Sequence, residues 1–281
     1  MSESKDAQFS VVIVTYYPGQ RLLRNLDVLN NCACISDIFI IDNTGEDNII
    51  INSTKNYSKV KIVRNEKNEG IGRAQNEGIK LSEDLGYKWV LTFDHDTVAK
   101  PSLIEKYSEF IISGVWDDIA IINSDYMEGT GVGKDLNIQE PTYVTETISS
   151  GSLINIHLFN IIGKFAEDFF IDQVDNEYCY RVIKSGYKIV ILPGKDMEHQ
   201  MGNMTYKRFM GHTFVLYNQS PIRTYYRTRN IVLMLKKYKD KNLFVEKFKD
   251  LCHDFIRIAF EKDALKKYKC YFQGLIFGLK K

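Results

Sequence analysis

Residues 89–97, WVLTFDHDT, set Trp89-Val90-Leu91-Thr92-Phe93 directly before two carboxylates, Asp94 and Asp96, separated only by His95. A short apolar, β-branched and aromatic run closed by polar residues predicts a buried strand over Trp89–Phe93. In extended backbone, residues two apart point to the same side, so both carboxylates can face a single ligand. An Asp-x-Asp triplet is too common to carry a function alone. Its position at the end of a buried strand is what gives it weight.

Upstream, Phe9–Thr15, Ile38–Asp42 and Val60–Arg64 read as strands of the same kind. Between the runs, Arg21–Asn30 and Ile71–Leu85 carry apolar residues at three- and four-residue spacing, which predicts crossover helices. Strands joined by helices make βαβ units, so the expected fold is α/β with a mostly parallel sheet flanked by helices. Ligands of such sheets bind at the carboxyl ends of the strands. The polar residues that stand out, Thr15-Tyr16, Asp42-Asn43 and Asp94-His95-Asp96, lie at those ends.

Downstream we expect a helix after Pro101, a strand over Ile119–Ser124, and a Gly-rich polar loop over the site at 125–145. A strand-like stretch, Thr147–Ile156, surrounds Gly151-Ser152; a helix follows Ile156. Acidic residues from Asp172 to Glu177 open another helix, and Lys188–Leu192 reads as a strand. From about Arg223 the chain turns helical and basic. The expected organisation is an α/β domain at 1–222, which bears these strand ends, and a basic amphipathic helical extension at 223–281.

A chain of 281 residues with 44% hydrophobic and 26% charged residues has the composition of a folded protein. Its net charge of +1 hides an asymmetry, since residues 221–281 carry 16 Lys/Arg against 6 Asp/Glu. The five cysteines are scattered without a CxxC pair, which argues against a disulfide framework or zinc site and for a reducing, cytoplasmic setting. The N-terminal apolar run, Val11–Val14, is too short for a signal-peptide core. No stretch reaches the roughly 18 apolar residues of a spanning helix, so the expected membrane contact is peripheral, at the inner face of the cell membrane.

The ordered set VVIVTYY, IIDNTG, NEGIGRAQNEGI, VLTFDHDT, SSGSLI, FFIDQVDNEYCYR, HQMG and YYRTRN, over about residues 9–235, resembles family 2 glycosyltransferases of the GT-A fold. Within that family it is most similar to bacterial rhamnosyltransferases. The resemblance implies an inverting transfer of a sugar, L-rhamnose from dTDP-β-L-rhamnose, to a hydroxyl of a cell-surface polysaccharide or lipid-linked saccharide. A UDP-hexose donor remains open.

The resemblance also implies roles for residues. Thr15, Tyr16, Asp42, Asn68, Gly70, Gly72 and Asn76 match the nucleotide and diphosphate contacts, Asp94 the donor, and Asp94 and Asp96 the metal. Hard oxygen ligands without Cys suit Mg²⁺ or Mn²⁺. Asp42 reads equally as the cap of an Asp-Asn-Thr-Gly turn. His199 either completes the metal shell or hydrogen-bonds the diphosphate. Asp175 matches the general base, with Asp172 and Glu177 as substitutes on the acceptor side beside Gly151 and Ser152. Acids in a first helical turn also complement the helix dipole. Arg229, in the YYRTRN segment, is a donor phosphate clamp or a packing residue. Trp89 belongs to the core.

Other classes are weighed on the same residues. Gln75 stands where a dinucleotide fingerprint needs its third Gly or Ala, which disfavours a Rossmann dehydrogenase. A nucleotidyltransferase would carry a Gly-rich basic loop after the first strand, and Tyr17-Pro18-Gly19-Gln20-Arg21 is a poor one. A noncatalytic sugar-nucleotide-binding module is disfavoured by the intact acids. The tail, with Lys among Phe, Tyr, Leu and Ile, suits an anionic lipid surface, its own core or a second subunit, which leaves a homo-oligomer open. No recognition motif for nucleic acid accompanies it.

Overall fold

Apolar runs become central strands where both faces of a sheet are covered. In the computed structural model, which describes residues 8–114, 116–128, 138–199, 205–209 and 212–281, this is true of β1 (Phe9–Thr15), buried along its whole length. The chain continues through α1 (Gln20–Leu29), β2 (Ile35–Asp42), the short α2 (Ile49–Ser53), β3 (Val60–Arg64), α3 (Ile71–Asp84) and β4 (Trp89–Asp94). β1 pairs in parallel with β2 and with β4, and β2 with β3. These are the predicted βαβ units, and their register aligns Thr15 with Asp42 and Val14 with Asp94. The polar strand ends therefore form one row.

The next elements are β5 (Val98–Ala99), α4 (Pro101–Ile112), β6 (Ile119–Glu128), β7 (Thr142–Val144), β8 (Ser152–Asn155), α5 (Ile156–Ile162), α6 (Val174–Lys184) and β9 (Lys188–His199). The sheet order is β3-β2-β1-β4-β8-β6-β9-β5, with β7 added on β9. β8 runs antiparallel to both neighbours, β5 and β7 run antiparallel to β9, and β6 and β9 are parallel. The sheet is thus mixed, where mostly parallel pairing was expected. Four-residue β8 is too short to show its direction in sequence, and among the described residues no crossover helix lies between β7 and β8.

Two further differences bear on the site. β9 continues past Leu192, with its register to β6 shifting between Ser124 and Asp125, so that His199 ends the same strand. The helix expected to open on the acidic stretch begins at Val174, leaving Asp172 in the preceding turn. Of the loop expected over the site, residues 129–137 lie outside the described residues, as do Gln200, Met201 and Gly202.

Residue contacts divide the chain into two units, one of residues 1–168 and 174–200, the other of residues 169–173 and 201–281. The first is built on the sheet, with a core that includes Phe9, Val11, Leu22, Leu26, Trp89 and Phe93. The second holds the hairpin β10 (Thr205–Phe209) and β11 (His212–Leu216), then α7 (Pro221–Tyr238), α8 (Lys241–Ile258) and α9 (Ala264–Lys280). Ile231, Leu251, Ile258 and Tyr271 form its core. α9 can lie close on α7 because Gly274 has no Cβ; one built there would stand 2.6 Å from Tyr225 O.

Within the second unit, the turn 169–173 is strained. Phe170, Asp172 and Gln173 all have positive φ, at 62°, 64° and 64°. Asn230 Nδ2 holds the turn by donating to the carbonyls of Phe169, Ile171 and Asp172 at 2.9, 2.9 and 2.8 Å. Arg223 forks onto the Asp172 carboxylate, and Phe170 stacks on Tyr226 with ring centroids 4.9 Å apart.

Candidate active site

The carboxyl ends of β4 and β9 bring Asp94, Asp96 and His199 together. One potential ligand atom from each lies within 4.8 Å of the others. Asp96 Oδ1 is buried, accepts no hydrogen bond from any described group, and stands 3.7 Å from His199 Nδ1. A buried carboxylate oxygen without a donor is costly unless something positive meets it. Burial pushes the His199 imidazole pKa down, more than Asp96 pulls it up, which keeps the ring neutral and able to ligate. Two carboxylates and one imidazole, with no thiolate, fit Mg²⁺ or Mn²⁺.

The residues around this trio set its orientation, and sequence reading did not single them out. Thr97 Oγ1 lies 2.7 Å from His199 Nδ1 and 2.7 Å from Ser150 Oγ. Ser150 Oγ in turn accepts from Asp94 N at 3.0 Å. Arg21 Nε donates to Asp96 O at 2.7 Å, and its Nη2 donates to Glu198 O at 3.3 Å, which ties the β4 end to the β9 end. Such outer hydrogen bonds fix the direction in which ligand atoms point.

Asp175, in the first turn of α6, is anchored from the same loop. Ser149 N donates to Asp175 Oδ2 at 3.1 Å, and Gln75 Nε2 donates to Ser149 Oγ at 2.9 Å. Gly72 brings the start of α3 against this region: a Cβ there would lie 3.0 Å from Ala166 O and 3.3 Å from Val174 Cγ1. The absence of that Cβ lets the residue preceding Asp175 pack on α3. Thr92 Oγ1 donates to Ser149 O at 2.6 Å, Gly151 N donates to Thr92 O at 2.7 Å, and Ser152 Oγ donates to Ile148 O at 2.6 Å. The turn 149–152 is thereby fixed to β4.

At the other strand ends, Asp42 Oδ1 accepts from Thr15 Oγ1 at 2.8 Å, Thr44 Oγ1 at 2.6 Å and Thr44 N at 3.1 Å. Tyr16 and Tyr17 follow β1 with rings exposed and in edge contact at 4.7 Å. Asn68 Oδ1 accepts from Gly70 N at 2.9 Å, shaping the turn into α3. Asn76 is turned inward, donating to Phe165 O and Glu167 Oε1 and accepting from Phe165 N, each at 3.0 Å.

The remaining expected residues have other surroundings. Glu177 is fully buried and accepts from Arg181 Nε at 3.1 and 3.0 Å and from its Nη2 at 2.9 Å. Asp172 and Arg229 belong to the second unit. There Asp172 pairs with Arg223, while Arg229 Nη2 donates to Phe169 O at 3.1 Å and its guanidinium lies 4.7 Å from the Tyr226 ring. Trp89 is core, as expected, with its ring edge-on to Trp116.

The fold thus places Thr15, Asp42 and Asp94 at neighbouring strand ends, Asp96 two residues beyond β4 and Asp175 at a helix start. Residues 10–166 match the family described as Glycosyl transferase family 2. The chain belongs to that family. It is 30% identical to the dTDP-rhamnosyl transferase RfbF of Shigella flexneri over 96% of this chain and 94% of that one.

Solved structures with the same fold include S. aureus TarS 1–349 in complex with UDP-GlcNAc, with a TM-score of 0.61, 16% identity and coverage of 97% of this chain and 81% of that one. GalNAc-T7 with UDP, GalNAc and Mn²⁺ gives a TM-score of 0.62 at 14% identity, over 98% of this chain and 56% of that one. The chain spans 44% of the longer TarS structure. At these identities the likeness shows a GT-A-like fold.

Proposed function

We propose that this family 2 glycosyltransferase is a metal-dependent, inverting rhamnosyltransferase. The observation that carries the reading is the linkage of Asp94, directly, and His199, through Thr97, to Ser150, whose neighbour Ser149 holds Asp175, with Asp96 grouped beside His199. Asp94, Asp96 and His199 would hold Mg²⁺ or Mn²⁺, whose charge, when bound, offsets that developing on the departing nucleotide diphosphate. The strand ends bearing Thr15 and Asp42, with exposed Tyr16 beside them, offer polar groups and a ring face for a nucleoside. The Asn68–Gly72 turn offers backbone at a helix start for phosphate oxygens.

Asp175 then acts as general base. Its carboxylate takes the proton of the acceptor hydroxyl as that oxygen forms a bond to the anomeric carbon. On the opposite face the bond from that carbon to the diphosphate oxygen breaks, and the diphosphate leaves with the electron pair. Displacement from one side inverts the anomeric centre, so a β-linked donor yields an α-linked product. One carboxylate suffices, because the leaving group needs charge compensation rather than a second, protonated acid. Ser149 N holds Asp175 Oδ2 at the start of α6.

The identity to a dTDP-rhamnosyl transferase supports dTDP-rhamnose as donor, and the acceptor, a polysaccharide or lipid-linked saccharide, is the one that the sequence resemblance implies. The test is nucleotide diphosphate release from a panel of dTDP- and UDP-sugars with Mn²⁺ or Mg²⁺, with and without a saccharide acceptor. Preferential turnover of dTDP-rhamnose is expected. Preference for a UDP-hexose would replace the donor while keeping the reaction, and release from no sugar nucleotide would point to a binding module.

A further inference from the structure

The second unit carries a surface that sugar transfer does not explain. On α8, Phe244, Phe248 and Phe255 recur at helical spacing and are exposed, with Val245 and Ile256 beside them. The rings of Phe244 and Phe248 stack 5.8 Å apart, sheltering each other rather than reaching a core. On α9, Leu265, Phe272, Ile276 and Leu279 repeat the pattern, and Leu265 is 87% exposed. Phe255 meets Phe272 at 6.1 Å between ring centroids, which joins the two stripes into one face. Single exposed apolar residues need no explanation, but a contiguous aromatic face does.

The charge around that face is mostly of one sign, for a structural reason. The acids of these helices are largely drawn inward: Asp254 receives Arg227 and Arg257, and Glu261 receives Arg257 and Lys267. Asp240 is used as the cap of α8, accepting from Asn242 N and Leu243 N. Lys249, Lys262, Lys266 and Lys269 remain exposed, against Glu246 and Asp263 as the exposed acids of α8, α9 and the turn between them. Phenyl rings that can enter a headgroup layer, rimmed by long ammonium side chains, match an anionic lipid surface. A second copy of the same face would bring its own lysines against these, like charge against like.

We infer that the α8–α9 face docks the protein on an anionic lipid surface, with Phe244, Phe248, Phe255, Phe272 and Ile276 entering the interface and the flanking lysines meeting headgroup phosphates. No helix among the described residues is long and apolar enough to cross a membrane, so this contact lies in the interfacial plane. Docking requires neither donor nor metal and stands apart from the proposed chemistry.

The full chain is sedimented with vesicles of phosphatidylcholine alone and of phosphatidylcholine with an equal part of phosphatidylglycerol. Binding to the anionic vesicles, weak binding to the neutral ones, and release by salt are expected. The double variant Phe248→Glu/Phe272→Glu should bind roughly tenfold or more weakly, with unchanged circular dichroism and unchanged nucleotide diphosphate release in solution. Absence of wild-type binding, or equal binding by the folded double variant, would overturn the proposal. So would a wild-type dimer that the double variant reduces to a monomer, because the face would then belong to a contact between copies. Each of these outcomes leaves the transferase reading intact, since vesicle binding and sugar transfer are read separately.

Discussion

Ser149 and Ser150 are neighbours in the chain yet bond to opposite halves of the site: Ser149 N donates to Asp175 Oδ2 at 3.1 Å, and Ser150 Oγ accepts from Asp94 N at 3.0 Å. One turn thus links Asp94 at the end of β4 to the carboxylate on α6. The turn is itself tied to β4 through Thr92, whose Oγ1 donates to Ser149 O and whose carbonyl accepts from Gly151 N.

If Ser150 and Thr97 orient His199 and the end of β4, removing their hydroxyls should weaken cation binding without touching a ligand. Ser150→Ala and Thr97→Val are each expected to lower Mn²⁺ affinity by roughly 10–100-fold, read by titration calorimetry or electron paramagnetic resonance on the protein alone. Asp96→Asn should lower it further. Wild-type affinity in both hydroxyl variants would remove them from the site.

The strained turn at 169–173 gives a stability prediction inside the second unit. Asn230→Ala deprives three carbonyls of their side-chain donor, and the loss should cost at least about 1–3 kcal/mol. Denaturant unfolding followed by far-UV circular dichroism checks this. An unchanged midpoint would mean that the turn holds its positive φ angles without Asn230.

Burial pushes the Cys179 thiol up to about 12, whereas Cys252 is exposed. A raised thiol pKa means that the unreactive protonated form persists through neutral and mildly alkaline pH. An aromatic disulfide reagent at pH 8 should therefore modify Cys252 in the native protein and Cys179 only after unfolding. Rapid native labelling of Cys179, located by peptide mass, would contradict this burial.

The parallel half of the fold was legible because β1, β2 and β4 end in apolar runs closed by polar residues and β3 carries β-branched residues, both local signals. Asp94 and Asp96 were legible for the same reason. The antiparallel β8 was not, because Ser152–Asn155 takes its direction from β4 and β6, both distant in sequence. His199 was visible as a residue, but its place at the end of β9 depends on a register shift after Leu192. The bonds made by Thr97, Ser150, Arg21 and Gln75 were not legible because each reaches a partner at least 53 residues away, and no spacing rule reaches that far. Glu177 was separable from Asp175 in principle: Arg181 stands four residues on, the spacing of a helical ion pair.

The proposed chemistry rests on Asp175, so its amide variant is the decisive measurement. With dTDP-rhamnose, Mn²⁺ and a saccharide acceptor, Asp175→Asn is expected to keep donor binding and to lose roughly 10²–10⁴-fold in the rate of acceptor-dependent dTDP release, the usual worth of a general base. A variant that is folded, binds the donor and transfers at the wild-type rate would show that another group accepts the proton.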